Sequence, residues 1–300
     1  MSKTIRIGTR DSELALWQAN TVRDRLMALG HSAVLVPIKS EGDLLLDKPL
    51  YELGITGIFT KTLDIAMLSG KVDIAVHSMK DVPTALPMGI VQAAVLKRAR
   101  TEDILLHKGL DFLEGEGTIA TGSLRRKAQW LQRYPKHSVT DLRGNVNTRL
   151  QKLKQNDWNG AIFAAAGLER IALLPTDHLR LDWMVPAPAQ GAMVVVAMER
   201  DTYSREALSP LNHSETELCT AVERAFLKTL EGGCTAPIGA LASIVDNVLH
   251  FKGNLCSLDG TRHKEIVKSG PVTDPLDFGE VCAMEILENG GAEIMDIIKR

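Results

Sequence analysis

Apolar positions along the first third of the chain switch between two periods. "TIRIG" (4–8) reads as a strand, and "DSELALWQANTVRDRLMALG" (11–30) reads as a helix with Ala15, Ala19, Val22, Leu26 and Leu29 on one face. Asp11 or Ser12 would cap that helix and Gly30 would stop it. "SAVLVPI" (32–38) is a second strand, "FTKTLDIAMLSG" (59–70) a helix closed by Gly70, and "VDIAV" (72–76) and "GIVQAAVL" (89–96) are further strands. The order then restarts. "GTIAT" (117–121), a helix through "SLRRKAQWLQRY", "SVTDL" (138–142), a helix through "VNTRLQKLKQ" and "GAIFAA" (160–165) form a second β-α-β-α-β set. Strands alternating with helices predict two largely parallel sheets with a cleft between the lobes, chemistry lying at the carboxyl ends of the strands. "VPAPAQGAMVVVAM" (185–198), a Pro-rich loop followed by a strong strand, would return the chain to the first lobe.

The last third changes style. "SETELCTAVERAFLKTLEGG" (214–233) opens with a capping box, Ser214-x-x-Glu217, and carries Leu218, Ala221, Val222, Ala225 and Thr229 on one face before Gly232 and Gly233. A hairpin turned at Asp246–Asn247, a third strand "HKEIVKSG" and two helices near 276–288 and 291–299 complete a small α+β domain.

Composition narrows the class. At 300 residues, 45% hydrophobic and 24% charged, the chain is long enough for several cores and is not disordered. A net charge of −2 and apolar runs no longer than "AMVVVAM" (192–198) argue against a nucleic-acid or membrane partner. The opening "MSKTIRIGTR" shows no apolar or Arg/Ser-rich leader, so a cytoplasmic location is expected. Cys219, Cys234, Cys256 and Cys282 are unevenly spaced, with no C-x-x-C pair and no metal-site spacing. The ordinary reading of each is a small buried hydrophobe, and no metal is expected.

One segment departs from the average. Residues 121–149 hold Arg125, Arg126, Lys127, Arg133, Lys136, Arg143 and Arg149 against Asp141 alone, a net +6. A solvated helix face would explain it. Five of the seven are Arg, however, and "TGSLRR" (121–126) and "RGN" (143–145) sit at strand-to-helix turns where backbone N–H groups favour anions. Arg10 would face these turns from the other lobe, and so would Arg170. Trp130 and Tyr134 fall inside a helix and offer no stacking platform, so a small polycarboxylate fits better than nucleic acid. Asp81, in the turn "HSMKDVPT" (77–84) after a buried strand, is either a simple turn carboxylate or a group that stabilises a cation on a substrate and relays a proton. His77 reads as structural.

"VHSMKDVP" (76–83), "GSLRR" (122–126), "LRGNVNTRL" (142–150), "AGLERI" (166–171), "PAQGA" (188–192) and "LEGGC" (230–234), in that order, resemble the porphobilinogen deaminase (hydroxymethylbilane synthase) family over essentially the whole chain. The resemblance implies an α/β protein: two periplasmic-binding-protein-like (type II) lobes around a cleft plus a small C-terminal α+β domain, divided as 1–97 with 191–212, 98–190, and 213–300. It implies a transferase, acting as a monomer, that joins four porphobilinogen molecules head to tail with loss of ammonia and releases hydroxymethylbilane by hydrolysis. It further implies a dipyrromethane cofactor held by a thioether to Cys234, with Asp81 as the catalytic acid/base. Lys80, Ser78, Thr121, Ser123, Arg125, Arg126, Arg143 and Gly144 would bind the cofactor, and Arg10, Ser12, Phe59, Arg149, Arg170 and Gln190 the substrate. Two positions depart from the family pattern: Thr56 stands where a loop lysine is common, and Pro188–Ala189 where Val-Gly is usual. A non-catalytic anion sensor on the same fold is the main rival; retention of both Asp81 and Cys234 favours the enzyme. Cys234 follows a helix carboxyl end, where the dipole disfavours a thiolate, which suits an anchor formed once rather than a nucleophile used in every cycle.

Overall fold

The computed structural model describes residues 3–39, 60–230, 236–271 and 275–299. Three sheets are present among them. In the first, β1 (Ile5–Thr9), β2 (Ala33–Pro37), β3 (Ile74–Ser78) and β4 (Ile90–Val95) are joined by a strand from much later in the chain. In the second, β5 (Asp103–His107), β6 (Thr118–Ala120), β7 (Ser138–Thr140), β8 (Gly160–Ala164) and β9 (Leu179–Arg180) assemble in the order β7-β6-β8-β5-β9. The late strand of the first sheet is β10 (Met193–Met198), and that sheet runs β2-β1-β3-β10-β4.

The two sheets share one plan. β1 is parallel to β2 and β3, and β6 is parallel to β7 and β8. One antiparallel strand is then inserted, β10 in the first sheet and β5 in the second. These inserted strands directly follow the two chain crossings between lobes. Helices cover both faces of each sheet, giving an apolar cluster above and below: Ile5, Ile7, Val22, Leu26 and Val195 on one side of the first sheet, Leu63, Met67, Ala75 and Val194 on the other. This is the two-lobed binding-protein-like architecture expected. The strands β5 and β9 are not foreseen by the apolar pattern, because "DILLH" (103–107) offers only three consecutive apolar residues.

The helix Glu13–Ala28 is capped by Ser12, whose Oγ accepts a hydrogen bond from the Ala15 N–H at 3.4 Å. Ala15, Ala19, Val22 and Leu26 are buried as the spacing requires, but Leu29 is 47% exposed, because the helix has ended and Leu29 is its C-cap.

In the C-terminal part, β11 (Ile238–Val245), β12 (Val248–Cys256) and β13 (His263–Gly270) form an antiparallel sheet under the helices Ser214–Thr229 and Pro275–Ile286. Asp246 and Asn247 both have positive φ (50° and 61°), as a two-residue hairpin turn demands. The capping box is not formed. His213 is the N-cap, its Nδ1 accepting from the Thr216 N–H at 3.2 Å. Glu217 instead accepts from Asn212 and Gln92, which ties the helix start to β4. The buried face is also wider than the periodicity showed, since Thr216, Cys219, Thr220, Glu223 and Phe226 are buried with Val222 and Ala225.

Candidate active site

Strand ends place the candidate residues. Arg10 follows β1 directly. Lys80 and Asp81 lie in the single 3₁₀ turn Met79–Asp81 after β3. Thr121 follows β6, and Ser123 caps the helix Leu124–Arg133, accepting from the Arg126 N–H at 3.4 Å. Arg143 and Gly144 follow β7; Gly144 has φ +112°, a conformation that only glycine adopts without strain. Arg149 is in the helix Val146–Gln155, and Arg170 ends the helix Ala165–Arg170 behind β8. Apart from Arg170, carried one helix beyond its strand, these residues gather at the carboxyl ends of parallel strands.

The charges interact. Lys80 is half-buried; desolvation first, and the charge of Arg126 second, push its pKa down to about 8 against the opposing pull of Asp81 and Asp103. Burial and then Arg126 lower Arg149 to about 10, with Arg143 and Arg10 adding to the repulsion and Asp81 opposing it. Lys80 and Arg149 both feel Arg126 and Asp81, and Arg149 also feels Arg143 and Arg10, so residues of both lobes share one electrostatic neighbourhood. Arg170 stands apart. Its Nη2 donates to the Gly191 carbonyl at 2.7 Å and its guanidinium lies 5.7 Å from the Trp17 ring, so it sits where lobe meets lobe. Asn147 reaches across the same junction, donating to Glu13 at 2.6 Å.

The basic segment is less bare than its local sequence indicated. Asp103, at the start of β5, is fully buried and pairs with Arg125 and Arg126, each at 2.8 Å. Burial alone would raise its pKa, but the two guanidinium charges override this and hold it well below the ordinary carboxylate range. Arg125 also donates to the Val185 carbonyl and Arg126 to that of Ile162. Gln190, expected to face substrate, is instead fully buried. Its amide donates to Asp103 and the Thr101 carbonyl and accepts from Lys80 Nζ at 3.1 Å, so it braces Lys80 from behind. Ser78 accepts from Gln18 at 2.9 Å, and Ser12 is occupied as a cap. His77 is buried, and burial followed by the charge of Arg10 lowers it to about 4, which leaves it neutral and structural. Trp130 is wholly buried, as expected for a residue that stacks on nothing in solution. Cys234, Phe59 and Thr56 lie outside the described residues, as do Gly232 and Gly233.

Sequence reasoning missed a second buried carboxylate. Glu223, with no exposure, accepts both Nη groups of Arg98 at 2.6 and 2.9 Å, the Ala189 N–H at 2.6 Å and the Ala242 N–H at 2.7 Å. Arg98 Nε in turn donates to the Gln190 carbonyl at 2.8 Å. One helix of the C-terminal domain therefore grips both crossings between the lobes. The crossings also touch each other: a Cβ on Gly191 would meet the Arg100 carbonyl at 2.6 Å. Ala189, one of the two departures, holds φ +62°, which costs roughly 1–2 kcal/mol for a residue with a Cβ and is offset here by its bond to Glu223. The available signal was Glu223 itself, a charged residue on the buried stripe of an amphipathic helix. Arg98→Ala is expected to lower stability by about 3–5 kcal/mol, because it strands the Glu223 charge. Chemical denaturation of the two proteins checks this, and a change under about 1 kcal/mol would contradict it.

A family model described as "Porphobilinogen deaminase, dipyromethane cofactor binding domain" matches residues 5–206, and one described as "Porphobilinogen deaminase, C-terminal domain" matches 217–288. The chain belongs to the porphobilinogen deaminase family. Relatives named porphobilinogen deaminase include those of Carboxydothermus hydrogenoformans (41% identity, 100% of this chain and 99% of the relative) and Desulfitobacterium hafniense (42%, 99% and 98%). The chloroplastic protein of Oryza sativa is 42% identical over 98% of this chain and 86% of its own. Among solved structures, a periplasmic substrate-binding protein of an ABC transporter from Coxiella burnetii aligns with a TM-score of 0.43 at 15% identity, over 73% of this chain and 96% of that one. The strand order, not that weak likeness, carries the fold. As a porphobilinogen deaminase family member the chain is an enzyme, and its lobes are the family's dipyrromethane cofactor binding domain. Among the described residues, no helix is long and apolar enough to cross a membrane, and no cluster of potential metal ligands occurs.

Proposed function

We propose that this chain is a transferase that condenses four porphobilinogen molecules head to tail, with loss of ammonia at each step, and releases hydroxymethylbilane by hydrolysis. The observation that carries the reading is the crowding of desolvated cations around the Lys80–Asp81 turn. Burial first and the charge of Arg126 second lower the pKa of both Lys80 and Arg149, so these cations are held there at a cost unless anions complete the site. A pyrrole bearing two carboxylates is such an anion, so the donor set fits a dipyrromethane tethered to Cys234. When bound, that group supplies the primer on which the chain grows.

Lys80, Ser78, Thr121, Ser123, Arg143 and Gly144 would hold the primer. Arg125 and Arg126 serve it largely as buried charge, with much of their hydrogen bonding directed at Asp103 and at carbonyls. Arg149, anchored through Nε to the Gly144 carbonyl at 2.7 Å, is suited to grip an incoming carboxylate through its Nη pair. Arg10, Ser12, Phe59 and Arg170 complete the substrate side, with Gln190 supporting from behind. Asp81 stabilises the cation that develops on the substrate methylene as ammonia leaves, and relays a proton at that nitrogen. We place the enzyme in the cytoplasm as a monomer, where its buried cysteines remain thiols.

The test is a product count. Purified protein given porphobilinogen should release four ammonia molecules for each linear tetrapyrrole that appears. Tight binding of porphobilinogen without ammonia release would overturn the reading in favour of a sensor.

A further inference from the structure

The turn that carries Asp81 is held by a residue of the other end of the chain. On its inner side the Met79 N–H donates to the Ala192 carbonyl at 3.0 Å, next to β10. On its outer side the Arg224 guanidinium comes in from the helix Ser214–Thr229. Its Nη1 donates to the Val82 carbonyl at 2.9 Å, with Met79 O at 3.5 Å, and its Nη2 donates to the Pro83 carbonyl at 2.6 Å. A planar fork is well matched to these acceptors, because two donor nitrogens in fixed relation fix the orientation of the peptide planes they bind. Within the turn itself the Val82 N–H bonds back to Met79 O at 3.1 Å. Arg224 thus adds side-chain hydrogen bonds at the exit of the turn, to carbonyls of residues 79, 82 and 83.

Its neighbour Glu223 grips the crossings, so two adjacent residues of one helix index two different structures. Residues about 100° apart around a helix axis can do this. The same helix leads, ten residues on, to Cys234.

We propose that Arg224 is a positioning residue for Asp81: the C-terminal domain that carries the anchoring cysteine also sets the place of the acid, through three backbone carbonyls and without touching substrate. This rests on the role proposed for Asp81 above. The site geometry then depends on the C-terminal helix rather than on the first lobe alone, which accounts for a half-buried arginine that points at the carbonyls of a short turn.

The experiment is a double-mutant cycle on the holoprotein, with intact mass confirming equal cofactor load. Arg224→Met should lower kcat roughly ten- to a hundredfold, the penalty of displacing a reacting group by about 1 Å, with KM within about threefold. Arg224→Lys, which keeps a charge and a donor but not the fork, should recover part of that loss, and it serves as the probe if the Met variant does not fold. In an Asp81→Asn background the Arg224 change should cost less than about twofold more, because the group it positions is gone. An equal loss in both backgrounds, or a kcat within about twofold of parent for Arg224→Met, overturns the proposal. Near-parental turnover of Asp81→Asn alone would instead remove the role of Asp81.

Discussion

Asp81→Asn is expected to lower kcat by roughly 10²–10⁴-fold while leaving the covalent adduct in place. The amide is isosteric with the carboxyl group, and the tie that shapes the turn, Val82 N–H to Met79 O, is a backbone bond that the change does not touch. Fold and stability should therefore be nearly unaltered. Binding should not weaken either. Removing a negative charge that acts on both Lys80 and Arg149 makes the site more cationic, so KM for porphobilinogen should hold or fall while kcat collapses. That split separates loss of a charge-stabilising group from loss of binding. Stopped-assay kinetics with intact-mass measurement decide it, and turnover near the parental rate would show that the acid lies elsewhere.

Cys234→Ser is expected to remove all turnover and to give an intact denatured mass equal to that of the sequence, where the parent is heavier by one dipyrromethane. The other cysteines cannot substitute. Cys219, Cys256 and Cys282 are buried, and burial raises their thiol pKa to about 11, about 12 and about 11. Thiols so disposed are poor nucleophiles. An adduct that persists in the serine variant, mapped by peptide mass to another residue, would refute the attachment at 234.

Much of the architecture was legible in the apolar periods, because buried parallel strands and amphipathic helices write their periods directly into sequence. The hairpin at Asp246–Asn247 was legible for a local reason, the residues that tolerate positive φ. What escaped was non-local. Strand β5 is short, and its most consequential residue, Asp103, looks like a surface acid in "RTEDILLH" (100–107). Nothing in the segment 121–149 shows that a carboxylate eighteen or more residues upstream offsets Arg125 and Arg126. Gln190 was noticed through a motif, but its protein partners were not foreseen, since they come from two segments distant in sequence, Lys80 and 101–103. Ser214 and Glu217 satisfy a capping pattern that tertiary contacts with Asn212 and Gln92 override. Arg224, finally, reads as an ordinary exposed helix arginine until the turn at 79–83 is brought beside it.

Position 223 can hardly drift. Aspartate is shorter by a methylene and cannot reach Arg98, Ala189 and Ala242 together; glutamine offers one acceptor oxygen and turns an NH₂ group toward donors. Random substitution there should be tolerated for glutamate alone, even though the residue sits outside the cluster of groups that handle pyrroles.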